Sequence, residues 1–273
     1  MQFEPLTPHI GTRITGIGAC SALNDDDLAL IKAETIRRHV VFIPNQNLSA
    51  LELVKVAKHF GNPLASPHPK FGSVDGVDEV SLVINDADHP PDINVWHSDL
   101  SYLPKPAGFC LLQAEEIPPL GGDTLWASLT AAYDALSPTM KEFLAPLSVY
   151  HQLPFDGFSP ELIKTVIDKP VVAVHPLIRR IPETDRLCLF INRVYAQHII
   201  ELSKSESDGV LAGLLAHCES PDFQVRHRWQ AGDLVIWDNR AALHFAAADY
   251  YPQRRVMHRV ALEGASVEDY LGN

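Results

Sequence analysis

His97 and Asp99 stand two residues apart in Trp96-His97-Ser98-Asp99. On an extended segment, residues i and i+2 share a face, so an imidazole and a carboxylate at this spacing can converge on one metal ion. Alone the pattern is weak, because His-x-Asp arises often by chance, and a surface histidine beside a turn aspartate explains it. A second histidine, His244, follows the apolar run Leu234-Val235-Ile236-Trp237 and the segment Asp238-Asn239-Arg240. By itself His244 reads as a satisfied core histidine. With His97 and Asp99 it completes a set of two imidazoles and one carboxylate. That facial arrangement leaves metal positions open, as in non-haem Fe(II) oxygenases. Open positions matter because a cosubstrate and O2 must both reach the same ion.

Arg254-Arg255-Val256-Met257-His258-Arg259 adds cationic groups. In a strand Arg255 and Arg259 share a face about 13 Å apart, at roughly 3.3 Å per residue. Guanidinium forks bind carboxylates in bidentate fashion, and a sulfonate offers similar oxygens. Two forks on one inner face could hold two anions near a metal. Arg254 and His258, on the opposite face, read as part of a charged exterior.

Four stretches in order, Trp96-His97-Ser98-Asp99, Gly121-Gly122-Asp123-Thr124-Leu125-Trp126, Trp237-Asp238-Asn239-Arg240 and His244 through Arg259, carry a resemblance. The chain is similar over nearly its whole length to the taurine dioxygenase (TauD/TfdA) family of Fe(II)- and 2-oxoglutarate-dependent dioxygenases. The resemblance implies a double-stranded β-helix (a jelly roll, cupin-like), mainly β with peripheral helices. It implies that His97, Asp99 and His244 ligate Fe(II), and that Thr124 and Arg255 hold 2-oxoglutarate through its carboxylates. Arg259 would hold the anionic head of the primary substrate. His68, in Pro67-His68-Pro69, matches a family histidine that contacts the same head. Phe158 and Tyr195 fall in segments that resemble pocket-lining parts of the family, although ordinary core aromatics explain them equally well.

The implied reaction consumes 2-oxoglutarate and O2, yields succinate and CO2, and hydroxylates a small anionic substrate. For a sulfonate such as taurine or a related alkyl sulfonate, hydroxylation beside sulfur releases sulfite. One departure bears on the substrate. Where taurine-specific members carry an asparagine shortly before the His-x-Asp motif, the spacing reaches Ile93, with Asn94 adjacent, and a family tyrosine is matched by Phe71. Both changes make the pocket more apolar, so an alkyl sulfate ester or an aryloxyalkanoate is an alternative substrate. Two readings of different class use the same residues: a zinc hydrolase on the three ligands, and a non-catalytic protein that binds a small anion. Family members are often homo-oligomers, which makes a dimer or tetramer the expectation.

The elements that must position these residues are legible in part. Asp25 to Arg38 has the periodicity of an amphipathic helix, with Leu28, Ile31, Thr35 and Ile36 near one stripe. Val40 to Ile43 reads as a buried strand stopped by Pro44. Ser49 and Glu52 have capping-box spacing and Gly61 closes the pattern, which predicts a helix from Ala50 to Phe60. Further helices are expected over Leu129 to Leu144 and Glu206 to Cys218. Strands are expected over Val80 to Ile84, Gly108 to Ala114, Val171 to His175, Leu187 to Ile191, Phe223 to Trp229, Leu234 to Trp237 and Arg255 to Leu262. Helices are too few to alternate with so many strands in parallel βαβ units, which favours a sandwich or barrel.

Composition bounds the rest. The 273 residues show no internal repeat and no low-complexity segment, and one domain over 1–273 is the simpler reading. Lys+Arg 22 against Asp+Glu 34 gives a net charge of -12, which disfavours nucleic acid as a partner. It does not disfavour an anionic small substrate, because a pocket can carry its own arginines. No apolar run approaches the ~20 residues of a membrane helix. The first residues lack the basic and apolar parts of a signal peptide, so a cytoplasmic protein away from membranes is expected. Cys20, Cys110, Cys188 and Cys218 are scattered without a CxxC, and read as reduced, buried thiols.

Overall fold

A computed structural model describes residues 1–65, 72–74, 76–155 and 171–271. His68, Phe71 and Phe158 lie outside the described residues. In chain order the strands are β1 (Gln2–Pro5), β2 (Thr12–Thr15), β3 (Val40–Ile43), β4 (Gly72–Val74), β5 (Val77–Asn85), β6 (Phe109–Glu116), β7 (Thr124–Ser128) and β8 (Ser148–Gln152). They continue as β9 (Val172–Pro176), β10 (Ile178–Ile181), β11 (Arg186–Leu189), β12 (Ala196–Ile199), β13 (Gln224–His227), β14 (Leu234–Asp238), β15 (Ala242–Ala246) and β16 (Arg255–Ala261). The helices are α1 (Asp25–Arg38), α2 (Ala50–Ala57), α3 (Leu129–Asp134), α4 (Pro138–Leu144) and α5 (Lys204–Cys218).

Eight strands form one sheet in the order β1-β2-β3-β14-β6-β16-β5-β4, and β13-β7-β15 form a second. Two further sheets are β12-β8-β9 and β10-β11. This is the mainly β jelly-roll architecture expected above, with its helices outside.

The centre of the large sheet is apolar on both faces, which explains why Val40-Val41-Phe42-Ile43 shows no alternation. Val41, Ile43, Leu111 and Ile236 pack beneath Leu28 and Ile31 of α1 and Leu53 of α2. The opposite face presents Val40, Phe42, Val235 and Trp237 to Trp126 of β7. Ring pairs join the two sheets: Phe42 and Trp126 lie 5.5 Å apart, and Trp126 and Trp237 6.0 Å apart. Complete burial of side chains of this kind is worth about 1.5–3 kcal/mol each.

Local signals account for the helix ends. Asn24 accepts from the Asp27 N–H, and Asp25, Asp26 and Asp27 in the first turn oppose Arg37 and Arg38 in the last, complementing the helix dipole. The Ser49–Glu52 capping box is formed, but α2 ends at Ala57, and Lys58 to Phe60 continue as turns rather than helix. The helix expected over Leu129 to Leu144 is two helices. Ser137 caps the second and Pro138 occupies its first turn, where a missing N–H costs nothing but cannot continue α3. All four cysteines are free and buried. No helix among the described residues is long and apolar enough to cross a membrane.

Candidate active site

His97 lies on the connection between β5 and β6, and His244 lies on β15. The two form an antiparallel bridge: the His97 N–H donates to the His244 carbonyl at 2.9 Å and the His244 N–H to the His97 carbonyl at 2.8 Å. Their rings are consequently 4.0 Å apart. His97 Nδ1 sits 2.8 Å from the Val95 carbonyl, which can only accept. Nδ1 therefore carries the proton, and Nε2 presents a lone pair. Asp99 completes the group, with Oδ1 3.8 Å from His97 Nε2 and Oδ2 3.8 Å from His244 Nε2. One donor atom from each of the three lies within 4.8 Å of the others, and all three residues are buried. Metal–ligand bonds of about 2 Å can span such a set.

Asp99 is fixed through its backbone as well. Its N–H donates to Asn239 Oδ1 at 2.8 Å, while Asn239 Nδ2 donates to the Asp99 carbonyl at 3.0 Å and the Ala107 carbonyl at 2.9 Å. The carboxylate also accepts from Arg259 Nη2 at 2.8 Å and from the Cys110 thiol at 3.3 Å. Burial alone would raise the Asp99 pKa, but the Arg259 guanidinium holds it well below the usual carboxylate range. Burial, with His97 nearby, pushes His244 down to about 3, and burial lowers His97 against the pull of Asp99. The group is thus ionised at the carboxylate and neutral at both rings, the protonation state a divalent cation requires.

Arg255 and Arg259 project from one face of β16 and are both buried, as the strand pattern anticipated. The guanidinium of Arg255 lies 6.0 Å from the Trp229 ring and 5.9 Å from the Tyr250 ring. Thr124, at the start of β7, accepts from Trp229 Nε1 at 2.9 Å and lies 3.5 Å from Arg255 Nη2. The Thr124 hydroxyl hydrogen is therefore left to donate elsewhere. Among the buried nitrogens lining this cavity without a protein partner are two guanidinium donors, Arg255 Nε and Arg259 Nη1. Unpaired buried donors are costly, and an anion at each guanidinium removes that cost. The residues present thus fit a divalent metal ion together with an acid carrying carboxylates. On the opposite face, Arg254 pairs with Glu116 and Asp86, the surface role expected for it.

The remaining sequence candidates divide. Tyr195 is buried and lines the cavity that holds the three ligands and both arginines. Ile93 lines it too, whereas Asn94 is exposed and does not. His68 and Phe158 are not among the described residues. Sequence reasoning assigned no role to Asn239, Trp229, Tyr250 or Cys110. Asn239 stood inside a quoted motif, and its amide signalled a partner; nothing local distinguishes the other three.

Comparison with known proteins agrees with this geometry. The taurine catabolism dioxygenase TauD, TfdA family matches residues 2–261. The chain belongs to this family. It is 30% identical to an alkylsulfatase of Acinetobacter baylyi, over 97% of this chain and 85% of that protein. It is 32% identical to an alpha-ketoglutarate-dependent sulfonate dioxygenase of Saccharomyces cerevisiae, over 92% of this chain and 63% of that protein. Among solved structures, a taurine dioxygenase from Burkholderia xenovorans superposes with a TM-score of 0.86 at 31% identity, covering 100% of this chain and 94% of that one. The chain is accordingly a 2-oxoglutarate-dependent dioxygenase, an enzyme class that uses Fe(II), 2-oxoglutarate and O2.

Proposed function

We propose that this TauD-family member hydroxylates a small alkyl sulfonate, with release of sulfite, in one catalytic domain spanning 1–273. His97, Asp99 and His244 would hold Fe(II), which supplies O2 activation. Arg255 and the Thr124 hydroxyl would bind the carboxylates of 2-oxoglutarate, and Arg259 would bind the sulfonate. The observation that carries this reading is the pair of unpartnered, buried donors, Arg255 Nε and Arg259 Nη1, flanking a buried His–Asp–His group. Two anion positions beside one metal position match a reaction that takes two anionic substrates. Anchoring both acids by guanidinium forks brings the target carbon and the metal together and prepays the entropy of their meeting. A zinc hydrolase on the same ligands would leave one arginine without a task.

Ile93, Val83, Leu112 and Met257 give the cavity an apolar wall. An alkyl chain, rather than the short polar taurine, fits that wall. The name of the Acinetobacter baylyi relative supports a second reading, an alkyl sulfate ester, which the same anchor would accept. An aryloxyalkanoate is the third. A panel of taurine, alkyl sulfonates, alkyl sulfates and aryloxyacetates tests the proposal, with succinate, sulfite and sulfate measured separately. Sulfite from an alkyl sulfonate is the expected product. Sulfate from an ester as the only substrate-dependent release would overturn the sulfonate assignment, and succinate formation independent of Fe(II) would overturn the chemistry.

A further inference from the structure

Behind the metal-ligand group lies a fully buried polar cluster that the reaction described above does not use. Ser101, His151 and Asn192 have no exposed surface, and His175 is 3% exposed. The cluster's amide and carbonyl partners fix most of the hydrogen-bond directions. Asn192 Oδ1 accepts from the backbone N–H groups of Val194 at 3.1 Å and Tyr195 at 2.9 Å, which fixes the amide orientation. The other end of that amide must then be NH2, and it donates to Ser101 Oγ at 2.9 Å. The serine hydroxyl is in turn hydrogen-bonded with His151 Nδ1, 3.0 Å away. His175 Nε2 faces the carbonyls of Ser101 at 3.0 Å and Leu103 at 3.1 Å, both acceptors, so it carries a proton. Phe190 stacks on His151 with ring centroids 5.3 Å apart and closes the cluster to water.

The cluster has two ends that matter. One is the turn that carries Asp99, in which buried Leu100 holds a left-handed φ of 58°. The other is Tyr195, a wall of the cavity, whose ring also lies 5.1 Å from that of Tyr102 in the same turn. We propose that Asn192, Ser101, His151 and His175 form a positioning unit that sets the Asp99 turn and the Tyr195 wall in one register. Metal geometry and substrate placement are then fixed by a single buried chain of donors. Burial serves this role, since it pushes His151 down to about 3 and keeps its ring neutral across the working range of pH. The inference rests on Asp99 being a metal ligand.

The test uses Ser101→Ala, Asn192→Ala and the double variant, with two readouts. Anaerobic equilibrium dialysis measures Fe(II) affinity without turnover. With whichever panel compound is oxidised, the molar ratio of succinate to oxidised substrate measures how well placement is coupled to cosubstrate consumption. Outer partners of metal ligands typically contribute 10–100-fold in affinity or activity. The expected result is Fe(II) affinity weaker by at least about tenfold and a succinate ratio raised above that of the wild type. The double variant should be no worse than the more affected single one, as expected for groups acting as a unit. Ser101→Cys nearly preserves the side chain's shape and replaces the hydroxyl by a thiol, a much weaker donor and acceptor. It should stay folded and still raise the ratio, which covers the case in which the alanine variants do not fold. Wild-type affinity and wild-type ratio in these variants, with only the melting temperature lowered, would overturn the proposal. A wild-type protein that binds no Fe(II) would instead sink the metal-site reading itself, and the positioning role with it.

Discussion

Arg259 Nη2 lies 2.8 Å from Asp99 Oδ2, while Nη1 of the same guanidinium is buried without a protein partner. One side chain thus faces the proposed metal-ligand carboxylate and the proposed anion position at once. Arg259→Lys keeps the charge but loses the fork, and a lysine is a point donor. This variant is expected to raise the KM of the primary substrate and also to weaken Fe(II) binding. Each effect should be about 10–100-fold, since a hydrogen bond to a charged group is worth about 1.5–3 kcal/mol. Isothermal titration with Fe(II) under argon, beside steady-state kinetics, separates the two. A change in substrate KM alone would show that the contact with Asp99 carries no weight.

Arg255 should behave differently. It touches Thr124, Trp229 and Tyr250 but none of the three proposed ligands. Arg255→Ala is expected to raise the KM for 2-oxoglutarate by about 10–100-fold with little change in Fe(II) affinity. Gly122 provides a gentler probe of the same position. Its φ is 72°, and a Cβ there would meet Arg255 Cδ at 3.3 Å and Tyr250 Cδ1 at 3.2 Å. Gly122→Ala should therefore raise the same KM without removing the cation. Loss of primary-substrate affinity instead, in either variant, would reassign the two arginines.

Metal binding itself should be visible as stability. An ion that binds only the folded chain adds about 2.7 kcal/mol when present at a hundred times its Kd. Anaerobic Fe(II), or redox-stable Mn(II), should raise the melting temperature by several degrees, and the rise should vanish in Asp99→Ala and His97→Ala. Asn239→Ala, which removes the amide clamp on the Asp99 backbone, should retain part of it, with affinity lowered about 10–100-fold. An unchanged melting curve in the presence of both metals would refute the site.

Stability should also fall in mild acid. Burial pushes His39 and His175 down to about 4 and His151 down to about 3. An unfolded histidine titrates near 6.5, so between about pH 6.5 and 4 the unfolded chain binds protons that these folded rings refuse. The sign is a loss of stability as pH falls, approaching about 1.4 kcal/mol per pH unit for each ring well inside that window. Thermal melts at pH 7.5, 6.0 and 5.0 should show a decreasing midpoint. A midpoint independent of pH over that range would contradict the buried, neutral assignment.

Much of the site was written in the chain because its chemistry demands particular residue types at short spacings. Arg255 and Arg259 on one strand face follow from the period of two, whereas His97 and Asp99 were weak alone and drew their weight from the resemblance, with Asp99 lying in the turn that follows His97. Long-range partners were legible only through the resemblance. That His97 pairs with His244, or that Trp229 reaches Thr124, depends on which strands become neighbours, and no local signal encodes it. The elements divide in the same way. The bounds of α1 and β3 follow from caps, a helix dipole and Pro44. Short strands such as β7 and β15 escaped because their faces are buried against different layers and show little alternation. The break at Pro138 was present in the sequence; the apolar periodicity on either side of it masked a stop signal that proline supplies directly.

The ladder contact between His97 and His244 has a consequence for ion choice. Because the main chain holds both rings, their separation belongs to the sheet and stays nearly constant whatever cation arrives. Accommodation of a larger or smaller radius then falls to the Asp99 carboxylate, the one donor outside that ladder, which can swing between its two oxygens. In the proposed site, discrimination among first-row divalent ions would thereby fall to a single acidic side chain and to the arginine and thiol that restrain it.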